Sequence, residues 1–144
     1  MTNAVEERVA QHYGLGGLEE VIVQALAASG ADLARLTPAD LAPVDEFHIG
    51  GRLATLDFAE QSEFAPGMNL VDIGCGLGGA SRYFAHERGC RVTGLDLTAE
   101  YIATAKALAA RVGLAAAIEY QQGSALALPF ASGTFDGAYM LQSA

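Results

Sequence analysis

Asp72 and Asp96 stand before and after the stretch GCGLGG, residues 74–79. Gly74, Gly76 and Gly79 satisfy G-x-G-x-x-G, and Asp96 falls twenty residues past Gly76. A loop of this kind brings the main chain close to a ligand. An acid at the end of the next strand can accept hydrogen bonds from both hydroxyls of a ribose. Two ligand classes share these needs. A nicotinamide or flavin dinucleotide rests its pyrophosphate on the helix N-terminus after the loop. S-adenosylmethionine brings a sulfonium and an ammonium to the same place. Asp72 separates the two, because a carboxylate two residues before the first glycine repels pyrophosphate and attracts an ammonium, directly or through water. The plain alternatives are a tight strand–helix turn with no ligand, a turn-stabilising role for Asp72, and simple helix capping near Thr98 for Asp96.

These residues need a strand, a loop and a helix in succession, and the pattern from residue 68 onward supplies them. NLVDIG reads as a short apolar strand, GGASRYFAHERG as a helix closed by Gly89, and CRVTGLD as a second strand. TAEYIATAKALAARVG reads as a second helix with Thr98 as N-cap and Gly113 as its stop. AIEYQQG and TFDGAYMLQ are the third and fourth strands. Strands alternating with helices predict an α/β fold with a parallel sheet and right-handed crossovers. Upstream, LEEVIVQALAASG (18–30) places Leu18, Val21, Ile22, Ala25 and Leu26 on one helical stripe, with Gly30 as the stop. TPAD (37–40) predicts a helix start with Thr37 as N-cap, cut short by Pro43. RLATLDFAEQSEF (52–64) has helical spacing through Leu53, Leu56, Ala59 and, more loosely, Phe64.

Other side chains carry less chemistry. Cys75 and Cys90 have no metal or disulfide spacing; Cys90 reads as a buried strand residue, and Cys75 as a small side chain that fits the loop rather than a nucleophile. Arg82 and His86 read as a solvated helix face. Glu19 and Glu20 point apart on a helix and form no carboxylate pair. His48 reads either as a cover for a ligand or as a packing histidine, and Tyr13 as a lid residue.

The 144 residues suit one domain, and 51% are apolar, enough for a packed core. The net charge of −9 excludes the Lys/Arg surface that a nucleic-acid backbone or an anionic membrane requires. The N-terminal MTNAVEERVAQHYG has no apolar core like that of a signal peptide, and no run is long enough to span a bilayer, so a cytoplasmic location is expected.

The residues also carry a family resemblance. LVDIGCGLGG resembles motif I of the class I S-adenosylmethionine-dependent methyltransferases, and VTGLDLTAEYIATAKALAARVGL the segment that follows it. YQQGSALALPFASGTFDGAYMLQSA resembles the later motifs, G-D-A-x-x-L-P-F and then F-D. The match covers residues 68–142 and is most similar to the small-molecule group with the ubiquinone/menaquinone-biosynthesis and sarcosine/dimethylglycine enzymes. DEFHIGGRLATLDFAE (45–60) is similar to the lead-in of the latter. The resemblance implies a Rossmann-like sheet with strand order 3-2-1-4 present and the C-terminal strands of a seven-stranded fold missing. Residues 1–64 would be a helical lid or extension, and 65–144 the N-terminal half of the cofactor domain.

Roles follow from the resemblance position by position. Gly74, Cys75, Gly76 and Gly78 match the loop beneath the cofactor's methionine and ribose. Asp72 matches the acid near its amino group, Asp96 the ribose ligand, and Leu97 the apolar residue beside adenine. Ser124 and Ala125 match the adenine-reading pair. Ser124 replaces the family's usual Asp there, which removes charge assistance and about 1 kcal/mol of affinity. Gln142 lies where the family lines the methyl-transfer region. The expected function is methyl transfer from S-adenosylmethionine to a small molecule, with no metal, and with alignment and desolvation rather than a catalytic base. A chain ending after its fourth strand reads first as a fragment of a longer methyltransferase, with a short protein that pairs with a second copy through that strand's edge, or a weakly binding relic, as the other readings. The alternatives are a non-catalytic cofactor-binding or oligomerisation module of methyltransferase ancestry and, more remotely, a nicotinamide-dependent oxidoreductase.

Overall fold

The computed structural model describes residues 17–41, 51–124 and 133–141, with the side chains of 51–54 left out. Four helices occupy Gly17–Ala28 (α1), Gly51–Gln61 (α2), Gly79–Glu87 (α3) and Ala99–Arg111 (α4) among these residues. Four strands occupy Asn69–Ile73 (β1), Arg91–Asp96 (β2), Ile118–Gln122 (β3) and Gly137–Tyr139 (β4). Leu70, Val71 and Asp72 are buried in succession, the pattern of a strand covered on both faces. All neighbouring pairs are parallel and the order is β3-β2-β1-β4, as expected. The strand order therefore reverses between β1 and β4. In open α/β sheets that reversal opens a crevice at the carboxyl ends of the strands.

The helices sit where their apolar spacing puts them. α3 packs on β2, and α4 on β2 and β3, as consecutive right-handed crossovers in one direction require. Leu18, Ile22 and Leu26 of α1 meet Leu108 and Val112 of α4 and Leu77 of the loop. Gly30, Gly89 and Gly113 follow their helices as predicted.

Several local expectations are corrected. Val23 joins the buried face of α1, whereas Ala25 is exposed, because the α4-facing stripe is centred on Ile22 rather than on Val21 and Ala25. TPAD forms only a 3-10 turn, Pro38–Leu41. There Thr37 donates through its N–H and hydroxyl to Asp40 Oδ2 at 2.8 and 3.1 Å instead of capping a helix. The helix expected over 52–64 ends at Gln61. Phe64 lies past it, in an aromatic cluster with Phe58, Phe84 and Tyr139 at centroid separations of 5.0–6.0 Å. β4 spans three residues rather than 134–142. Its lead-in Asp136 instead clips the foot of β1: Asn69 N–H donates to Asp136 Oδ2 at 2.8 Å, and Asp136 N–H to the Asn69 carbonyl at 2.7 Å. Glu19 and Glu20 act separately, on Arg111 and Gln24. Tyr13, Pro43, His48, Ala125 and Gln142 lie outside the described residues.

Candidate active site

One row of side chains crosses the sheet at the level of the glycine loop. The register places Tyr120 of β3 beside Gly94 of β2, Gly94 beside Asp72 of β1, and Asp72 beside Tyr139 of β4. Parallel neighbours in register point to one face, so the four belong to one layer. Gly94 has no side chain, and the Tyr120 ring occupies that space. A Cβ at Gly94 would come within 2.6 Å of Tyr120 Cε1 and 2.9 Å of Cys75 Sγ. The ring thereby carries its hydroxyl beneath Gly78, where a Cβ would overlap it. Gly78 has φ of 88°, a backbone conformation that a side chain strains.

Asp72 is fully buried. Its Oδ2 accepts from the Ser81 hydroxyl at 2.7 Å and the Tyr139 hydroxyl at 3.1 Å. Its Oδ1 is buried and has no hydrogen-bond partner. Burial raises its pKa to about 7, and the negative charge of Asp96 adds to the rise. The Ser81 hydroxyl, the Tyr139 hydroxyl and the Ser81 main-chain N–H pull the other way. Burial also pushes the Tyr120, Tyr139 and Cys75 protons up, so all three stay bound at neutral pH. Buried and protonated, Cys75 is no nucleophile. Cys90 is buried too, one residue before β2.

The loop is fastened from below. Gly74 N–H and Cys75 N–H both donate to the Leu95 carbonyl, at 2.7 and 3.0 Å, and Gly78 N–H donates to the Cys75 carbonyl at 3.0 Å. Gly76 N–H donates to Asp96 Oδ2 at 2.9 Å, and Thr98 N–H to Asp96 Oδ1 at 2.9 Å. Asp96 therefore fixes both the loop and the start of α4. Thr98 is at the N-cap position, but its own side chain makes no capping bond. Each carboxylate oxygen keeps a second acceptor site, so Asp96 can still receive hydroxyls. Leu97, 69% exposed, stands next to it with its carbonyl held by Gln122 Nε2 at 3.0 Å. Ser124 follows β3, half-buried.

The two ligand classes can now be separated on geometry. A pyrophosphate needs free N–H groups, and those of Gly74, Cys75, Gly76 and Gly78 are all used within the protein. The first turn of α3 is already taken up by the Asp72 carboxyl, through Ser81. A cationic ligand has the opposite fit, because a buried carboxylate oxygen without a partner favours an ammonium. No cluster of His, Cys, Asp and Glu suited to a metal occurs among the described residues.

Arg82 corrects the sequence reading. It is 2% exposed, not solvated, and its Nη1 donates to the Leu77 carbonyl at 2.7 Å, under the loop and beside Tyr120. Its stem faces the loop, whereas His86, one turn on, is exposed beside Glu87. Ser81, Arg82, Tyr120 and Tyr139 escaped sequence reasoning. The signal for Tyr139 and Tyr120 was the cross-strand register with Asp72, which needs the strand order first.

The fold and its glycine loop define a class: Rossmann-like α/β proteins with a parallel sheet of order β3-β2-β1-β4. The family described as Methyltransferase domain matches residues 71–144. The chain belongs to that family, within the class I S-adenosylmethionine-dependent methyltransferases. A probable tocopherol O-methyltransferase of rice is 40% identical over 75 residues, 52% of this chain and 21% of that protein. A solved Haemonchus contortus phosphoethanolamine N-methyltransferase 2 in complex with S-adenosyl-L-methionine superposes with a TM-score of 0.61 at 27% identity. That likeness covers 67% of this chain and 22% of the other. A structure titled the [4+2]-cyclase SpnF is 30% identical, with a TM-score of 0.56 over 60% of this chain and 32% of that one. The chain spans 21–29% of the length of three curated relatives that it matches. No described helix is long and apolar enough to cross a membrane.

Proposed function

We propose that this chain holds S-adenosylmethionine for methyl transfer to a small molecule. The observation that carries the reading is the pair of carboxylates flanking the loop, Asp72 with a bare buried oxygen and Asp96 with acceptor sites to spare. Bound there, the cofactor supplies an electrophilic methyl group on its sulfonium. Asp72 receives the ammonium, Asp96 the ribose hydroxyls, and Leu97 lies along the adenine. Ser124 and Ala125 read the adenine edge, and Gln142 lines the transfer region. Cys75 fills the space below the loop. The chain's part in the reaction is to align and desolvate rather than to move a proton on the acceptor. The acceptor is a small molecule, as in the relatives named for tocopherol and phosphoethanolamine.

Calorimetric titration of S-adenosylmethionine into the chain tests this, with Asp96→Ala alongside. Saturable binding weakened at least tenfold in the variant is expected, since a charged partner of two hydroxyls is lost. Absence of saturable binding to the folded chain overturns the reading. Because one similar fold is titled a cyclase, methyl transfer itself needs a labelled-methyl readout in addition to binding.

A further inference from the structure

We propose that Ser81 and Tyr139 are positioning residues that clamp one oxygen of Asp72, so that the other oxygen exchanges its proton for the cofactor's ammonium on binding. The inference rests on the cofactor reading above and concerns what binding does to the protein.

The two oxygens of Asp72 are unequal. Oδ2 already accepts two hydroxyl hydrogen bonds, one from α3 and one from β4. Oδ1 has none. A proton on the neutral acid therefore belongs on Oδ1, the same atom that a cation requires. Proton and ammonium compete for one site. When the ammonium arrives, the O–H bond of the acid breaks and the proton passes to the buffer, leaving a carboxylate beside a cation. Nothing else is consumed.

The surroundings make Asp72 the group that titrates. Burial and the Asp96 charge at the end of β2 hold its proton up to about pH 7. Cys75 in the loop, Tyr120 on β3 and Tyr139 on β4 face the same space, and burial keeps their protons on far above that. Arg82 of α3 is directed at the Leu77 carbonyl and acts on Tyr120. Ser81 and Tyr139 each favour the charged form of Asp72. Losing either one should move its titration upward.

The experiment is calorimetry of S-adenosylmethionine binding to the chain at pH 6.5 in phosphate and in a high-ionisation-heat buffer such as imidazole. The difference in heat counts protons. Release of roughly 0.8 proton per cofactor is expected, and affinity should rise roughly fifteenfold from pH 5.5 to 7. In Ser81→Ala and Tyr139→Phe the midpoint of that rise should shift to higher pH, and Ser81→Thr, which keeps the hydroxyl, should restore it. A purely structural role would weaken binding equally at every pH. Binding without buffer-dependent heat overturns the proton exchange while leaving the cofactor reading intact. Exchange with an unmoved midpoint in the variants overturns the positioning role. No binding at all overturns both. The wild-type proton count stands even where a variant does not fold.

Discussion

Asp72 carries a price in stability that its neighbours only partly offset. Its native pKa is raised to about 7 from 3.8, so between those values the native state binds the proton that the unfolded chain has lost. Stability then falls as pH rises through that window and levels off above pH 7. The size is on the order of 4 kcal/mol. Asp72→Asn keeps an oxygen for Ser81 and Tyr139 and removes the charge. Urea unfolding at pH 5 and pH 8 should show a flatter dependence in the variant, with the variant more stable at pH 8 and unable to retain the cofactor. Gly78 makes a second case. Gly78→Ala introduces both a strained φ and an overlap with the Tyr120 hydroxyl, and should lower stability by about 2–3 kcal/mol. Adding Tyr120→Phe should recover part of it, since only the overlap is relieved. A double-mutant cycle from chemical denaturation measures that coupling.

At the scale of elements, β4 is short and depends on its ends. Asp136 exchanges two main-chain-directed bonds with Asn69, and the aromatic cluster of Phe58, Phe64 and Phe84 steadies the Tyr139 ring. Asp136→Ala should cost about 1 kcal/mol and speed hydrogen exchange at the Asn69 amide well beyond that at Val71. The sequence showed this geometry unevenly. The βαβ succession, the glycine stops and the strand order were legible, because periodicity and glycine position are local signals and the family resemblance supplied the order. The acid of the F-D motif was legible as a motif but not as a clip, since its partner lies 67 residues away. Tyr139 reaches Asp72 across the same separation. Arg82 misled because its position on the helix looked polar and outward, while its length lets the head turn back under Leu77.

Across the whole molecule, charge and hydrogen bonding agree. A net charge of −9 sets a long-range field against polyanions, and the N–H groups of Gly74, Cys75, Gly76 and Gly78 already have acceptors within the protein. A reduced nicotinamide dinucleotide should therefore neither bind nor displace S-adenosylmethionine at millimolar concentration, as fluorescence titration and competition calorimetry would read. Measurable competition would return the dinucleotide reading to the front.

The Tyr120 ring over Gly94 constrains how such a sequence can change over generations. Positions 94 and 120 share one volume, so any enlargement at 94 meets a wall until 120 has shortened. Shortening 120 first only opens a void, which the chain survives more easily than a collision. The two changes are permitted in one order and blocked in the other. A lineage that has lost the tyrosine meets only the Cys75 sulfur on enlarging position 94, while one that keeps it is held to glycine there.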